Sequence, residues 1–531
     1  MWQKTWQSGQ RATLFNKLEN ETEQWDLIIA GGGITGAGIA REAARRGLRA
    51  LLLERRDFAW GTSSRSSKMV HGGLRYIAAG DIKTTVHSVH ERERLIYEVP
   101  GLVDKMAFMM PHYKGKFPGP LVFNILLGIY DIFAGRRYRK KLSLKETKWV
   151  CPHINEKHLV GGTQFTDAIT DDSRLVMRVL REAQEDGAAI VNYMGVRHLL
   201  KQDGRVVGVE VEDALTHQCR ELKARVVINA TGVWVDQLRS EMEKEKNIRP
   251  ARGSHIVVPF WRLPVAQTLT TFHPHDGRPI FIYPWEGRTV IGTTDLDENA
   301  IENVEANMTR EEMDYLIGVT RYQFPSAELE EDDILSSWAG VRPLIASGAL
   351  SPSKEKRNHS VWDDSGLVSV SGGKLTTFRL IALDVLSTAS KYLREYENKA
   401  DSKAIFSPYR PENSLFAGLP SYLKKRFCGY YGKDAEPLVA GANRSELNLI
   451  PGTRSTWAEL RWVAANEAVV HLDDLLLRRT RLGLLLAKGG MVYEDKICAI
   501  CREALGWTEK KWTEEKVRYQ KIWQQHYSVP A

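Results

Sequence analysis

Residues 25–58, WDLIIAGGGITGAGIAREAARRGLRALLLERRDF, constrain the fold more than any other part of the chain. "DLIIA" is a short apolar run of the kind needed by a parallel strand buried on both faces. Gly31, Gly33 and Gly36 follow in GxGxxG spacing. Ala37, Ile39, Ala40, Ala43 and Ala44 then give a small apolar helical face. "LRALLLE" reads as a second strand ending in Glu54. Gly31 permits a tight turn, Gly33 lets the backbone approach a pyrophosphate, and Gly36 lets helix and strand pack closely. The helix N-terminus presents unsatisfied N–H groups to the phosphates. Glu54, about 20 residues on, can accept hydrogen bonds from ribose hydroxyls and would repel a 2′-phosphate. Strand, turn, helix, strand and acid in this order predict a Rossmann-type domain in an α/β fold.

That unit serves FAD and NAD alike, and later segments separate them. "KARVVINATG" (223–232) is an apolar strand ending in a small-residue turn, where a cofactor can lie against the backbone. The preceding "GRVVGVEVEDALTHQCRELKARVV" alternates like a small antiparallel meander. "SSWAGVRPL" (336–344) and "VSVSGGKLTTFR" (368–379) add another strand, a Gly-Gly turn and a helix start. A cofactor touched by segments so far apart is long, which favours FAD.

The stretch "GTSSRSSKMVHGGLRY" (61–76) gathers hydroxyls, glycines and cations without a single acid, as an anion-facing loop would. Taken in order with GGGITGAG, TDDSRL (170–175), NATG, GSHIVVP (253–259), GTTD (292–295), GVRP, SGGKLT and DLLLRRTRLGLL (474–485), it resembles the FAD-dependent glycerol-3-phosphate dehydrogenases. The bacterial aerobic, quinone-linked kind is the nearest match. The resemblance runs from about residue 25 to residue 485, nearly the whole chain.

It implies a Rossmann-type FAD-binding domain with an antiparallel-sheet substrate domain and a C-terminal helical domain. The FAD domain is expected over 24–80, 160–240 and 336–395. The substrate domain is expected over 81–159 and 245–335, and the helical domain over 406–531. The cofactor-binding residues it implies are Gly31, Gly33, Gly36, Glu54, Thr62, Ser63, Ser64, Lys68, His71, Gly72, Gly73, Val196, Ala230, Gly232, Gly373, Leu375 and Thr376. His71 would support the flavin through a hydrogen bond, and a covalent tether stays open.

The substrate implied is glycerol 3-phosphate. A phosphate monoester taken out of water demands charge-assisted hydrogen bonds. Arg supplies a planar fork for its oxygens and Lys a point charge. The resemblance offers Arg75, Tyr76, Lys374 and Arg342, with Arg357 less constrained by its surroundings and equally readable as a surface arginine. For Arg342 a structural ion pair is the lesser expectation. Oxidation at C2 also needs a proton acceptor, and a histidine with a reference pKa of about 6.5 suits neutral pH. His255, opening a substrate-domain strand, is the candidate, against the plainer reading of a strand-end histidine bonded to backbone.

The 531 residues carry a net charge of +8 with basic residues dispersed, which fits an anionic lipid or phosphate partner and not nucleic acid. Five scattered cysteines suggest a reducing compartment, and Cys498 and Cys501 read as two half-buried thiols on a helix. The N-terminus lacks the apolar core of a signal peptide, and a transit peptide is disfavoured. No apolar stretch reaches the roughly 18 residues of a spanning helix. "FPGPLVFNILLGIY" (117–130), followed by "RRYRKK" (136–141), is either a buried helix or a segment lying on an anionic membrane surface. The expectation is a monotopic protein on the inner face of the cytoplasmic membrane that passes electrons to quinone. A homodimer stays open.

Three other readings compete with this one. An oxygen-reducing oxidase of the same substrate would carry an additional substrate-domain insertion, and no unexplained long segment is seen. An amine- or amino-acid-oxidising flavoenzyme would need one arginine for its carboxylate, where this chain offers a cluster. A non-enzymatic flavin-bearing lipid-binding or regulatory protein would be favoured only if the purified holoprotein failed to bleach with any phosphorylated polyol.

Overall fold

Strand Trp25–Ala30 explains its own apolar run: Leu27 and Ile29 enter one hydrophobic core while Ile28 and Ala30 enter another on the opposite face. A strand covered on both sides cannot alternate apolar with polar residues. The computed structural model describes residues 5–19, 23–74, 77, 80–136, 138–298, 301, 305–348, 355, 358–393, 404–409, 411 and 414–530. Strand Trp25–Ala30 pairs in parallel with Ala50–Leu53 on one side and Cys219–Asn229 on the other. Leu367–Gly372 and Ala189–Val191 extend the parallel set, and His359–Asp364 closes one edge as an antiparallel hairpin. Helices Ile34–Ala44, Asp172–Glu185 and Phe378–Ala389 pack together. Their apolar residues share a core with Leu27 and Ile29. The meander Met194–Gln202, Arg205–Asp213 and Cys219–Asn229 contributes to the core on the other face.

The second sheet has ten strands among the described residues and is antiparallel except where Thr268–Phe272 meets Val103–Tyr113. At its centre Ile248–Pro259 lies between Arg288–Gly292 and Ser336–Ile345. Sheet membership does not follow the expected division of the chain. Met69–Val70, Ser336–Ile345 and all but the first residue of Leu159–Thr170 fall within the stretches expected for the FAD domain, yet all three belong to the second sheet. The reason is the ladder. Ser336–Ile345 is paired from end to end with Ile248–Pro259, Ser336 opposite Val257 and Ile345 opposite Ile248.

Helices Ser421–Tyr431, Trp457–Asn466, Glu494–Leu505 and Glu509–His526 form the C-terminal part, and their Phe427, Leu460, Ile497 and Tyr519 join the core that also holds Leu27 and Val176. Cys501 is buried there, while Cys498 is half-buried. The motif Asp474–Arg479 winds as a single π-helical stretch, and its arginines reach the loop that follows strand Ala50–Leu53. Arg478 and Arg479 both donate to Asp57, and Arg481 donates to Asp171.

The 117–130 segment divides between its two readings. Helix Pro120–Ala134 buries Phe123, Leu127 and Tyr130, while Leu121, Ile125, Ile129 and Ile132 stand exposed, Leu121 at 74% and Ile132 at 76%. Arg136, Lys140 and Lys141 beyond it are exposed too. No described helix is long and apolar enough to cross a membrane.

Candidate functional site

A cleft of about 290 Å³ opens where the first sheet's strand ends meet the second sheet. Its floor is the glycine turn. Gly31 has φ +113, and a Cβ there would stand 2.5 Å from the Ala230 carbonyl oxygen. A Cβ on Gly36 would be 1.9 Å from the Gly31 carbonyl oxygen, so only glycine lets helix Ile34–Ala44 start this close to the strand. The helix is capped by Gly33 with no side-chain cap, and the Ile34 amide donates to the Ser63 hydroxyl at 3.0 Å. Open N–H groups at a helix start attract an anion.

Glu54 lines the cleft with both carboxylate oxygens already engaged, one by the Gly32 amide at 2.7 Å and one by the Arg56 amide at 2.9 Å. Burial raises its pKa above the ordinary carboxylate value, and those two amides oppose this only in part. A carboxylate offers about four acceptor sites, so sites remain for ribose hydroxyls. The cleft continues along Thr62, Ser63, Val196, Ala230 and Gly232 to Gly373, Lys374 and Leu375. These residues fit FAD on the structure's own terms: a long cleft, an uncapped helix start, and glycines whose missing side chains leave backbone within reach.

The second centre lies further along strand Ser336–Ile345, whose Pro343 borders the cleft. His255 faces Trp338 across the strand pair, ring centroids 4.8 Å apart and tilted by 15°. The histidine is buried. Its Nε2 meets the Ser67 hydroxyl at 2.9 Å, while Nδ1 has no hydrogen-bond partner among the described residues. Burial, then Lys68 and then Arg342 hold its pKa well below the ordinary histidine value, so the ring is neutral and able to accept a proton. The Trp338 indole N–H and the Tyr283 hydroxyl are likewise buried with no partner among the described residues. Gly292 is required beside the ring, since a Cβ there would lie 2.2 Å from it.

Arg342 donates to Asp295 at 2.7 Å and to the Thr293 hydroxyl at 3.1 Å. The ion pair given as the lesser expectation is therefore present. Asp295 also holds Arg278 at 3.0 Å, so a single carboxylate serves two guanidinium groups. Lys374 borders the cleft and donates to the Ser88 hydroxyl at 2.9 Å.

Several expected cofactor contacts sit elsewhere. Ser64 is buried behind the cleft, and its carbonyl accepts from Lys68 at 2.6 Å and Arg481 at 3.2 Å. Lys68 is fully buried on Asp172, away from the cleft lining, because its left-handed φ of +58 turns it inward. Gly72 gives room to a different neighbour: a Cβ there would lie 2.3 Å from the Tyr130 hydroxyl, which accepts the Gly72 amide at 2.9 Å. Thr376 is buried with its hydroxyl 3.4 Å from the His71 carbonyl. Gly36 lies under the turn, and His71 and Gly73 are not part of the cleft wall. Arg75, Tyr76 and Arg357 lie outside the described residues.

One wall went unforeseen. Trp60 and Trp234 face each other at 5.8 Å, with Arg56 4.1 Å over Trp60 and Arg55 4.7 Å over Trp234. The signal was available: Trp60 directly precedes Gly61, and Trp234 follows Gly232 by two residues, each beside a turn already read as a cofactor contact.

Residues 26–379 match the family described as FAD dependent oxidoreductase, and residues 385–512 match the C-terminal domain of alpha-glycerophosphate oxidase. An aerobic glycerol-3-phosphate dehydrogenase of Staphylococcus haemolyticus is 33% identical over 530 residues, 95% of each chain. One from Staphylococcus aureus is 34% identical over 523 residues, 93% of each. Among solved structures, glycerol-3-phosphate dehydrogenase from Bacillus halodurans complexed with FAD superposes with a TM-score of 0.77 at 28% identity, over 98% of this chain and 97% of that one. The FAD-bound L-alpha-glycerophosphate oxidase of Mycoplasma pneumoniae, at 20% identity and TM-score 0.58 over 74% of this chain and all of that one, shares the fold.

Proposed function

The chain belongs to the FAD-dependent glycerol-3-phosphate dehydrogenase family, and on that premise we propose that it oxidises sn-glycerol 3-phosphate to dihydroxyacetone phosphate and delivers the electrons to a membrane quinone. FAD bound along the cleft supplies the hydride acceptor. Gly31, Gly33 and the start of helix Ile34–Ala44 hold its diphosphate, Glu54 its ribose, and the Gly373–Leu375 turn the far end.

Arg342 and Lys374 bind the substrate phosphate, joined by Arg75, Tyr76 and Arg357. Because Asp295 keeps Arg278, Arg342 can turn to a phosphate without leaving a buried carboxylate alone. His255 takes the C2 hydroxyl proton. The observation that carries this reading is a neutral, buried imidazole with one unpartnered nitrogen on the strand that also pairs Ala251 with Arg342. His71 and the Gly72–Gly73 backbone would border the flavin only after the loop shifts, since Gly72 is held by Tyr130.

The quinone reading is supported by the exposed row Leu121, Ile125, Ile129 and Ile132 with Arg136, Lys140 and Lys141 beside it. Apolar insertion plus basic side chains, each contributing about 1 kcal/mol at an anionic surface, would hold the protein on the inner face of the cytoplasmic membrane. The match of residues 385–512 to an oxidase C-terminal domain supports the second reading, oxygen as acceptor and peroxide as product. One experiment separates them. Anaerobic glycerol 3-phosphate should bleach the flavin, and a quinone analogue should reoxidise it faster than oxygen. Equal or faster reoxidation by oxygen gives the oxidase, and no bleaching removes the substrate.

A further inference from the structure

We propose that Lys68 is a positioning residue for the oxidation: seated against Trp338, it places its charge behind the ring stacked on His255, while its neighbour Ser67 fixes the imidazole's direction. This rests on the reading of His255 as proton acceptor. Three consecutive residues share the work. The Ser66 amide and hydroxyl both donate to Asp172, the Ser67 hydroxyl meets His255 Nε2, and the Lys68 ammonium donates to Asp172 and to the Ser64 carbonyl. The Lys68 nitrogen is 4.6 Å from the Trp338 ring centroid, and that ring is the one stacked on His255. Asp172 is the fixed point, since Arg481 from the C-terminal motif and the Ser173 amide hold it as well.

A lysine with a left-handed φ and no exposure is a costly way to fill space. A buried ion pair is weak evidence for stability, because an apolar residue of similar volume often does as well. The placement makes sense as electrostatics. The cations bearing on His255 are Lys68 and Arg342. Asp172 and Asp295 face those cations, and Glu312, on helix Arg310–Gln323, is spent on the Ser254 and Thr294 hydroxyls. No carboxylate among the described residues hydrogen-bonds the imidazole. Burial pushes Lys68 down to about 8, with Asp172 opposing, so it stays charged at neutral pH.

The test is the pH profile of kcat/KM for glycerol 3-phosphate. In the native enzyme the acid limb should fall below the ordinary histidine value. Lys68→Met should move it to higher pH by about one unit, as loss of a nearby like charge does. Lys68→Arg should restore the native position. Calorimetric binding of dihydroxyacetone phosphate should show the same upward shift in the pH at which its proton-linked change in affinity falls. An unmoved limb in a folded Lys68→Met enzyme overturns the proposal, as does a limb in Lys68→Arg displaced as far as in Lys68→Met. Should neither variant fold, a native acid limb at or above the ordinary histidine value overturns it alone.

Discussion

Arginine is used in opposite ways at two places in this molecule. At the junction with the C-terminal helices, Arg478 meets Asp57, Asp473 and Asp474, Arg479 meets Asp57, and Arg481 meets Asp171 and Asp172. These arginines are at most 2% exposed, and with Arg518 on Asp473 and Lys68 on Asp172 the cluster's cations and carboxylates balance. Around Asp295 the cations are in excess. Two guanidinium groups, at 21% and 18% exposure, share one carboxylate. A saturated cluster has nothing left for a ligand, whereas an under-neutralised one has positive charge to offer an anion. Counting charges tells glue from binding site better than counting arginines.

Four measurements can break or sharpen this contrast. The largest effect should come from Arg479→Ala, which leaves Asp57 buried and under-compensated. A loss of roughly 3–5 kcal/mol is expected in urea unfolding, and a loss below about 1 kcal/mol would mean that the junction is not the glue described. Next, His255→Asn should keep FAD and substrate affinity but slow flavin reduction by about 10²–10⁴. A stopped-flow rate within a few-fold of native would take His255 out of the proton path.

Arg342→Ala should raise the KM for glycerol 3-phosphate about tenfold or more, from the loss of a charge-assisted contact of about 1.5–3 kcal/mol. Its unfolding midpoint should hardly move, because Arg278 still serves Asp295. An equal effect on glycerol would show that the phosphate is not what Arg342 reads. The smallest effect belongs to Arg310→Ala, whose pair with Glu331 is 46% and 41% exposed. Its unfolding midpoint should hardly move, because solvent screens an exposed pair, and a clear shift would blur the line between exposed and buried pairs.

How much of this was legible depended on the range of the forces involved. The glycine turn could be read because its demand is local: a φ of +113 at Gly31 and a close approach at Gly36 admit no side chain. The loop after it was legible only as a class. Its hydroxyls and cations signalled an anion, yet which of them face the cleft depends on the 3₁₀ turn Thr62–Ser64 and on the inward turn at Lys68. Thr62 and Ser63 reach the cleft, whereas Ser64 and Lys68 turn to Asp172 and Arg481. Arg342's partner Asp295 stands 47 residues away in sequence, and no periodicity announces such a pair. The exposed row on helix Pro120–Ala134 was half-visible, since an apolar run cannot say which of its faces is covered.

The three strands that pass from the first region of the chain into the second sheet have a consequence for the protein's history. Met69–Val70, Leu159–Thr170 and Ser336–Ile345 come from widely separated points in the sequence, and each pairs within the second sheet. A cut made anywhere between them severs a ladder rather than freeing a module. The second sheet is therefore not a cassette that recombination could lift out and exchange. New specificity in such an architecture has to arise by point changes on strands that stay in place, with both sheets inherited as one piece.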